Sequence, residues 1–408
     1  MTLTATAQDP GSDDLSFAVD FGNGDSQSAI DYNNGVGPDP PISPGGTFPF
    51  TATESFTTRY VQNGDYLATL TARDDDGGEF AVPFPIHVRN VAPTILPFGP
   101  ALSVEGLAGT IAATATDPGD DALTFTWTFE LGPTVTETLP STGSPTTQTS
   151  AANFLYGDDG SFAVTLTVTD QDGASTSFTT TVDVANLPPT AQITQIRQPV
   201  SLGLRVAGEK WHDVNATFFA NDTILGFASV VRTPGSPDDQ MAATGFLDLP
   251  MMTRYSAKVL YTPADDPVNG QPNGANPAWI VLRDGTGAEL RVHHTFNVEH
   301  PGTYEWDVAL TPYVARMAFR LSATATDAGS DDLTFRWDFG DGSPIVETTA
   351  FNNGVSADPL KSPFGTFPFV ATSDVFHAFA DGTHLVRLEV LDDDGGSVAV
   401  SVTIVVQG

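Results

Sequence analysis

Residues 327–335 read DAGSDDLTF, and this acidic segment guides the interpretation of the whole chain because it occurs three times. Residues 117–125 read DPGDDALTF, and residues 9–17 read DPGSDDLSF. A second acidic turn follows each copy, at 392–396 (DDDGG), 170–173 (DQDG) and 74–78 (DDDGG). Repetition over such lengths indicates a tandem array of similar modules.

The stretches around these turns alternate apolar and polar residues, which is typical of half-buried β-strands. Residues 2–7, 162–169 and 398–406 are the clearest examples. The chain has 38 Gly and 31 Pro, and helical periodicity is nearly absent. The sequence therefore predicts an all-β protein built from antiparallel β-sandwiches.

The spacing of the acidic turns predicts four modules. The two turns of a copy lie 65 residues apart in the first and third copies (9 to 74, 327 to 392) and 53 apart in the middle one (117 to 170). The copies start 108 and then 210 residues apart (9, 117, 327), which leaves room for one extra domain before the third copy. We predict repeat 1 (1–90, lacking its first strand), repeat 2 (91–187), an additional module (188–318, in which 188–193 could be the first strand of repeat 3) and repeat 3 (319–408).

The composition excludes several classes of partner. With 16 Lys and Arg against 50 Asp and Glu, the net charge is −34, so nucleic acid and anionic membranes would repel the chain. The acidic excess then indicates a salt-adapted surface, a cation-binding protein, or both. There is no Cys, so disulfides contribute nothing. No apolar run reaches about 20 residues and no basic leader begins the chain, so we expect no membrane insertion, and Met1 leads straight into a strand pattern as in a fragment.

The turns of the third repeat resemble a known family. Residues 335–342 (FRWDFGDG) and 386–397 (VRLEVLDDDGGS) are similar to the W-D-F-G-D-G turn and the closing V-x-L-x-V-x-D-x-x-G segment of the PKD (polycystic kidney disease) domain. Repeat 1 has Val19 at the Trp position, and repeat 2 keeps Trp127 but departs from the turn that follows. The linkers 90–94 (NVAPT) and 186–190 (NLPPT) match the usual entry segment of the family. The resemblance does not extend to residues 194–318.

This resemblance implies tandem immunoglobulin-like (PKD) β-sandwiches of the extracellular bacterial or archaeal type, with one additional β-sandwich or jelly-roll-like domain. It also implies an extracellular or cell-surface location, and other surface proteins or glycans as partners. The entry strand of the family is missing before repeat 1. Either the chain boundary is arbitrary there, or the sheet has an open edge through which chains could self-associate.

The acidic turns are candidate metal ligands. In an immunoglobulin-like sandwich the two loops lie at the same pole, so their carboxylates should converge, and hard oxygen ligands in this number suit Ca²⁺. The alternative is plain turn chemistry, in which Asp side chains accept hydrogen bonds from backbone N–H groups. The candidates are Asp9, Asp13, Asp14, Asp74, Asp75 and Asp76 in repeat 1, Asp117, Asp120, Asp121, Asp170 and Asp172 in repeat 2, and Asp327, Asp331, Asp332, Asp392, Asp393 and Asp394 in repeat 3.

No catalytic constellation stands out, since the chain lacks Gly-x-Ser-x-Gly, His-Glu-x-x-His and P-loop motifs and has no Cys nucleophile. We predict a non-enzymatic stalk, surface-structural or adhesive array rigidified by Ca²⁺ at domain junctions. One alternative is a carbohydrate- or matrix-binding module centred on 194–318, where aromatic residues either pack in the core or stack on sugars. The aromatic candidates are Trp211, Trp279, Tyr304, Trp306 and Tyr313. Another alternative is the accessory region of a secreted hydrolase.

Overall fold

The computed structural model describes residues 1–38, 47–207, 212–231, 237, 239–251, 253–263, 275–299, 302–357 and 365–407. The regular structure of these residues is almost entirely β-strand, with one four-residue helix, and the prediction of an all-β protein is confirmed. Among the described residues, no helix is long and apolar enough to span a membrane.

Repeat 1 is a sandwich of two antiparallel sheets. Alternating small and apolar residues point inwards, so that Phe17, Val19 and Phe56 are buried between the sheets. The sheets have the orders β1-β4 and β3-β2-β5-β6. The strands are β1 (Thr2–Asp9), β2 (Leu15–Asp20), β3 (Ser26–Asp31), β4 (Phe50–Thr57), β5 (Gly64–Asp74) and β6 (Glu79–Val88).

Repeat 2 follows the same plan with an added entry strand. Trp127 is fully buried and donates from Nε1 to Ser150 Oγ at 3.2 Å, so this residue belongs to the core. The strands are β7 (Thr94–Ile95), β8 (Ala101–Val104), β9 (Ala108–Asp117), β10 (Leu123–Phe129), β11 (Thr134–Leu139), β12 (Thr146–Leu155), β13 (Gly160–Thr169) and β14 (Ser175–Ala185). They form sheets in the orders β12-β9-β7 and β11-β10-β13-β14-β8.

The additional module is a further antiparallel sandwich around a large apolar core that includes Leu204, Phe218 and Tyr261. Its strands are β16 (Pro199–Ala207), β17 (His212–Ala220), β18 (Thr223–Val231), β19 (Asp239–Ala243), β20 (Leu247–Asp248), β21 (Tyr255–Pro263), β22 (Ala275–Asp284), β23 (Glu289–Asn297) and β24 (Tyr304–Ala309), followed by helix α1 (Thr311–Val314). The sheets have the orders β19-β16-β22-β23, with β20 also pairing β16, and β18-β17-β21-β24.

Repeat 3 takes its first strand from the segment before the additional module. Strand β15 (Thr190–Arg197) pairs antiparallel with β25, with Thr190 opposite Thr326 and Ile193 opposite Ala323. The other strands are β25 (Phe319–Asp327), β26 (Leu333–Asp338), β27 (Val346–Ala350), β28 (Phe369–His377), β29 (Gly382–Leu391) and β30 (Ser397–Val406). They form sheets β15-β25-β28 and β27-β26-β29-β30 around the fully buried Trp337.

The internal contacts of the chain divide it into two compact units. The first contains Met1–Ser103, Ala108–Leu155 and Ser161–Asp183. The second contains Val104–Leu107, Tyr156–Gly160 and Val184–Gly408. Two short segments that follow β8 and β12 of repeat 2 therefore belong to the same unit as repeat 3, and they shape the site described next.

Candidate metal centre at the acidic pole of repeat 3

The two acidic loops of a repeat lie side by side, and we call the end of the sandwich where they meet its acidic pole. In repeat 3, the Asp332 backbone N–H donates to Asp393 Oδ1 at 2.7 Å. In repeat 1, the Asp14 backbone N–H donates to Asp75 Oδ1 at 3.0 Å. The fold thus brings together loops that are about 60 residues apart in sequence, as expected for loops at one pole of an immunoglobulin-like sandwich.

Three carboxylates form a buried triad at the acidic pole of repeat 3. One oxygen from each of Glu105, Asp327 and Asp331 lies within 4.8 Å of the others. The exposed fractions of these residues are 0%, 0% and 3%. Glu105 comes from the segment after β8 and was not among the candidates from the sequence.

Within the part of the chain that the structure describes, each carboxylate of the triad has one oxygen without a hydrogen-bond partner. Asp327 Oδ1 accepts a hydrogen bond from Gly329 N at 2.7 Å, and Glu105 Oε1 accepts one from Leu187 N at 2.5 Å. Glu105 Oε2, Asp327 Oδ2 and Asp331 Oδ2 are buried and have no hydrogen-bond partner within the described part of the chain. An unsatisfied buried polar atom costs folding free energy, so these oxygens favour a ligand that they can coordinate.

The electrostatics of the triad also favour a bound cation. Burial, opposed by the Leu187 N–H and reinforced by Asp327, raises the pKa of Glu105 to about 8. Burial and then the neighbouring Glu105 raise the pKa of Asp331 to about 9, and burial raises that of Asp327 to about 6. Three negative charges at this spacing disfavour one another, whereas a bound cation would stabilise the ionised forms and reverse these shifts.

The triad continues into a row of carboxylates towards the surface. Asp331 also lies in a triad with Asp393 and Asp394, and Asp394 lies in another with Asp158 and Asp159. Asp158 and Asp159 come from the segment after β12 and were missed from the sequence. Burial and the nearby Asp159 raise the pKa of Asp394 to about 7. Because Asp393 and Asp394 are exposed, the row connects the buried triad with solvent.

Close backbone packing holds the two segments from repeat 2 against the pole. The Ser330 backbone N–H donates to Gly157 O at 2.6 Å. Gly106 has φ +68°, and a Cβ at this position would lie 2.0 Å from Ala328 O. A Cβ on Gly329 would lie 2.6 Å from Glu105 Oε2. Glycine is therefore required at 106 for both backbone conformation and space, whereas a Cβ at 329 would displace the Glu105 carboxylate.

The acidic pole of repeat 2 is arranged differently. Asp170 accepts hydrogen bonds from Asn90 Nδ2 at 2.9 Å and from the backbone N–H groups of Asp172 and Ala174. Burial and the neighbouring Asp117 raise the pKa of Asp121 to about 6. The Asp120 carboxylate accepts a hydrogen bond from Ser141 Oγ.

At the acidic pole of repeat 1, Asp9, Asp13 and Asp74 form a triad that is only half-buried. Burial and the neighbouring Asp9 raise the pKa of Asp13. Asp14 Oδ1 accepts a hydrogen bond from Asn33 N, as Asp332 Oδ1 does from Asn352 N in repeat 3. These two carboxylates therefore anchor a loop. Asp76 of repeat 1 is exposed.

In repeat 3, Asp392 Oδ1 accepts a hydrogen bond from Gly396 N.

The aromatic candidates of the additional module separate into two groups. Trp306 stacks on His294 with ring centroids 4.9 Å apart and packs against the core, together with Tyr304 and Tyr313. Trp279 is partly exposed, with Arg205 5.3 Å from its ring and the His293 ring at 5.1 Å. Trp211 lies outside the described residues. The glycan-binding interpretation stays a prediction, and among the described tryptophans of the module it depends on Trp279.

Comparison with known families identifies one of the repeats. The profile of the PKD domain family matches residues 90–185. These residues form a PKD domain. The match falls on repeat 2, even though its turn departs from the hallmark that repeat 3 keeps, so the departure at Thr128–Glu130 does not remove the family signal.

Several solved structures are similar to the chain at low identity. A tetra-tandem repeat in the extending region of a large adhesion protein is 13% identical, with 100% of this chain and 95% of that chain covered and a TM-score of 0.27. The Bacteroides ovatus glucan-locus protein SGBP-B in complex with a mixed-linkage heptasaccharide is 14% identical over 78% of this chain and 71% of that one, with a TM-score of 0.17. A titin I-band fragment is 10% identical over 78% and 99%, with a TM-score of 0.16. These TM-scores are too low to carry a conclusion. No curated protein matches the sequence.

Proposed function

We propose that the chain is a non-catalytic extracellular stalk or adhesive array, and that Ca²⁺ bound at the acidic pole of repeat 3 fixes the segments 104–107 and 156–160 against that repeat. The array of β-sandwiches with a PKD domain supports the first part. The second part rests on one observation, the buried triad of Glu105, Asp327 and Asp331 with an unsatisfied oxygen on each carboxylate. In this role the partners are surface proteins or glycans.

The chemistry of the pole favours Ca²⁺ over other common cations. All seven residues of the row offer carboxylate oxygens, which are hard ligands. Ca²⁺ accepts six to eight oxygens in flexible geometry, whereas Mg²⁺ demands a near-ideal octahedron and keeps several waters. A row whose ligands come from four separate loops supplies many oxygens without strict symmetry, which matches the preference of Ca²⁺.

Ca²⁺ binding to the folded chain can be measured directly. At a free Ca²⁺ concentration of 100 times Kd, one site adds about 2.7 kcal/mol to the free energy of unfolding. We expect saturable heat in isothermal titration and a higher thermal midpoint than in chelator. Glu105→Gln, which keeps the size of the side chain, should abolish both effects, whereas Glu54→Gln on β4 should leave them intact. A midpoint that rises no more in Ca²⁺ than in NaCl of equal ionic strength would contradict the proposal.

A further inference from the structure

The carboxylates of the acidic row at repeat 3 fall into three groups. Within each group, one oxygen of every residue lies within 4.8 Å of the others. Among the described residues, the inner group is Glu105, Asp327 and Asp331, the middle group is Asp331, Asp393 and Asp394, and the outer group is Asp158, Asp159 and Asp394. Neighbouring groups thus share one residue each, Asp331 and then Asp394, and the inner group shares no residue with the outer one.

The reach of one Ca²⁺ limits how much of this row it can bind. Ca²⁺ lies about 2.3–2.6 Å from each oxygen ligand, so two oxygens bound to one ion are at most about 5 Å apart. This distance is close to the 4.8 Å that bounds each group. Because Asp393 and Asp394 share no group with Glu105 or Asp327, an ion at the inner triad leaves these two aspartates for another ligand.

Asp331 is placed to contact a cation in each of two groups. It is 3% exposed, and its Oδ2 is buried and has no hydrogen-bond partner within the described ranges. The two oxygens of a carboxylate can bind different ions, and protein sites with two metal ions about 3.5–4 Å apart are well known. The middle group is therefore more than a cluster of exposed acids, since it contains a buried carboxylate with an unsatisfied oxygen.

The charge of the row also favours a second cation. The row has seven carboxylates, and one Ca²⁺ offsets the charge of two of them. The carboxylates of the inner triad are buried, whereas Asp393 and Asp394 are exposed. A second ion at the middle group would offset negative charge where the first ion does not reach.

We propose that the acidic pole of repeat 3 binds a second Ca²⁺, which is held by Asp393 and Asp394 and is bridged by Asp331 to the ion of the inner triad. This inference rests on the proposed function, because the inner ion fixes the shared Asp331 in place for the second one. Loss of the inner ion therefore removes both ions, whereas loss of the second ion leaves the inner one bound.

The two ions divide the work of holding the segments from repeat 2. The inner ion contacts the segment 104–107 directly, through Glu105. The second ion offsets the charge of Asp394, which lies in the outer group with Asp158 and Asp159 of the segment 156–160. Repulsion between these three carboxylates would otherwise push this segment away from the pole.

Equilibrium dialysis of the full chain against radioactive Ca²⁺ in NaCl counts the ions. Compared with the parent, Asp394→Asn should lose one ion and Glu105→Gln should lose two. Asp172→Asn is the matched control and should lose none, because Asp172 is the equivalent exposed residue in the turn of repeat 2. Since Asp394 is exposed, its variant should fold. Differences from the parent count only the ions at this pole, so Ca²⁺ bound elsewhere on the chain does not affect the result.

The outcomes separate this inference from the proposed function. If Glu105→Gln loses one ion and Asp394→Asn loses none, the inner site stands and the second ion is wrong. If both variants lose one ion, either a single ion serves the whole row or the two ions bind independently, and the inference is wrong in both cases. If Glu105→Gln loses no ion, the proposed function is wrong as well.

Luminescence of Tb³⁺ in place of Ca²⁺ gives an independent readout. Lifetimes in H₂O and D₂O report how many waters each bound ion keeps. We expect one Tb³⁺ population with few waters at the buried triad and a second, more hydrated one at the exposed Asp394. Asp394→Asn should remove only the hydrated population. A single population in the parent that persists in this variant would overturn the second ion.

Discussion

The acidic poles of repeats 2 and 3 have closely similar loop sequences, but each is covered by a different kind of segment. At repeat 2, the covering loop lies between β4 and β5 of repeat 1. The Asp120 backbone N–H donates to Val61 O at 2.8 Å, and Gln62 Nε2 donates to Asp120 O at 2.6 Å. The Arg59 guanidinium donates to Pro118 O and Ser144 O. This loop of repeat 1 thus brings a cationic side chain, Arg59, and an amide, Gln62, to the acidic pole of repeat 2.

At repeat 3, the cover brings acids to a pole that is already acidic. The segment after β12 adds Asp158 and Asp159, and the segment after β8 adds Glu105. The pKa of Asp331 rises to about 9, whereas that of Asp121, its counterpart in repeat 2, rises only to about 6. Both poles have buried carboxylate oxygens without a hydrogen-bond partner among the described residues, Asp117 Oδ2 and Asp121 Oδ1 in repeat 2 and Asp327 Oδ2 and Asp331 Oδ2 in repeat 3. The two poles differ in their covers, and we propose that the acids added at repeat 3 are what favour a cation there.

The largest effect should come from replacing one aspartate at the pole of repeat 3 with asparagine, and its counterpart at the pole of repeat 2 serves as the control. Asp331→Asn should remove the stabilisation by Ca²⁺, because it removes a charged ligand from the buried triad. At 1,000 times the Kd of the parent chain, this loss is about 4.1 kcal/mol in the free energy of unfolding. Asp121→Asn is the matched control and should keep the effect of Ca²⁺. Thermal denaturation with and without chelator measures both.

If Asp121→Asn also lost the response to Ca²⁺, the two poles would be functionally alike and the charge of the cover would be irrelevant. If Asp331→Asn kept the response, the cation would bind elsewhere, for instance at the half-buried triad of repeat 1.

Much of the fold could be predicted because the signals are local. Strand alternation at 162–169 and 398–406 reflects the period of side chains along a β-strand, and it does not depend on distant residues. The pairing of acidic loops followed from the sandwich topology that the Trp337 turn indicates. The position of β15 against β25 also followed from the Pro-Thr linker at 189–190.

The centre itself could be predicted only in part, because it depends on how segments of different repeats pack. Glu105 is a lone acid after a short strand, and nothing around it in the sequence marks it as buried. Residues 157–160 (GDDG) were a usable signal, since they repeat the acid-glycine character of the other turns. The motif also does not reveal that Ser141 donates a hydrogen bond to the Asp120 side chain, and the role of Asp120 as a ligand stays a prediction.

A smaller effect should follow from closing the space that lets the segment after β8 reach repeat 3. Gly106→Ala would force a side chain into a left-handed φ and place its Cβ 2.0 Å from Ala328 O. Strain and overpacking together should cost about 2–3 kcal/mol. Gly354→Ala is the matched control, because Gly354 has φ +74° but nothing within 4 Å of a new Cβ, so it should cost about 1 kcal/mol.

Urea denaturation of the two glycine variants separates strain from packing. Equal losses would mean that the segment can withdraw from Ala328 at no cost, and the close packing at the pole would then contribute nothing to stability. A larger loss for Gly106→Ala that also weakens Ca²⁺ binding would link this packing to the position of Glu105.

The smallest effect should come from removing the hydrogen-bond partner of a buried tryptophan in each of repeats 2 and 3. Trp337 Nε1 donates to Ser373 Oγ at 3.1 Å, and Trp127 Nε1 donates to Ser150 Oγ at 3.2 Å, each in a buried site. Ser373→Ala and Ser150→Ala should each cost about 1–3 kcal/mol in chelator, because each leaves a buried indole N–H without its partner. Adding Ca²⁺ should offset the loss in Ser373→Ala by stabilising repeat 3, and should leave that in Ser150→Ala unchanged. Rescue of both variants to the same extent would show that the cation stabilises the two repeats alike, which would remove the distinction between their poles.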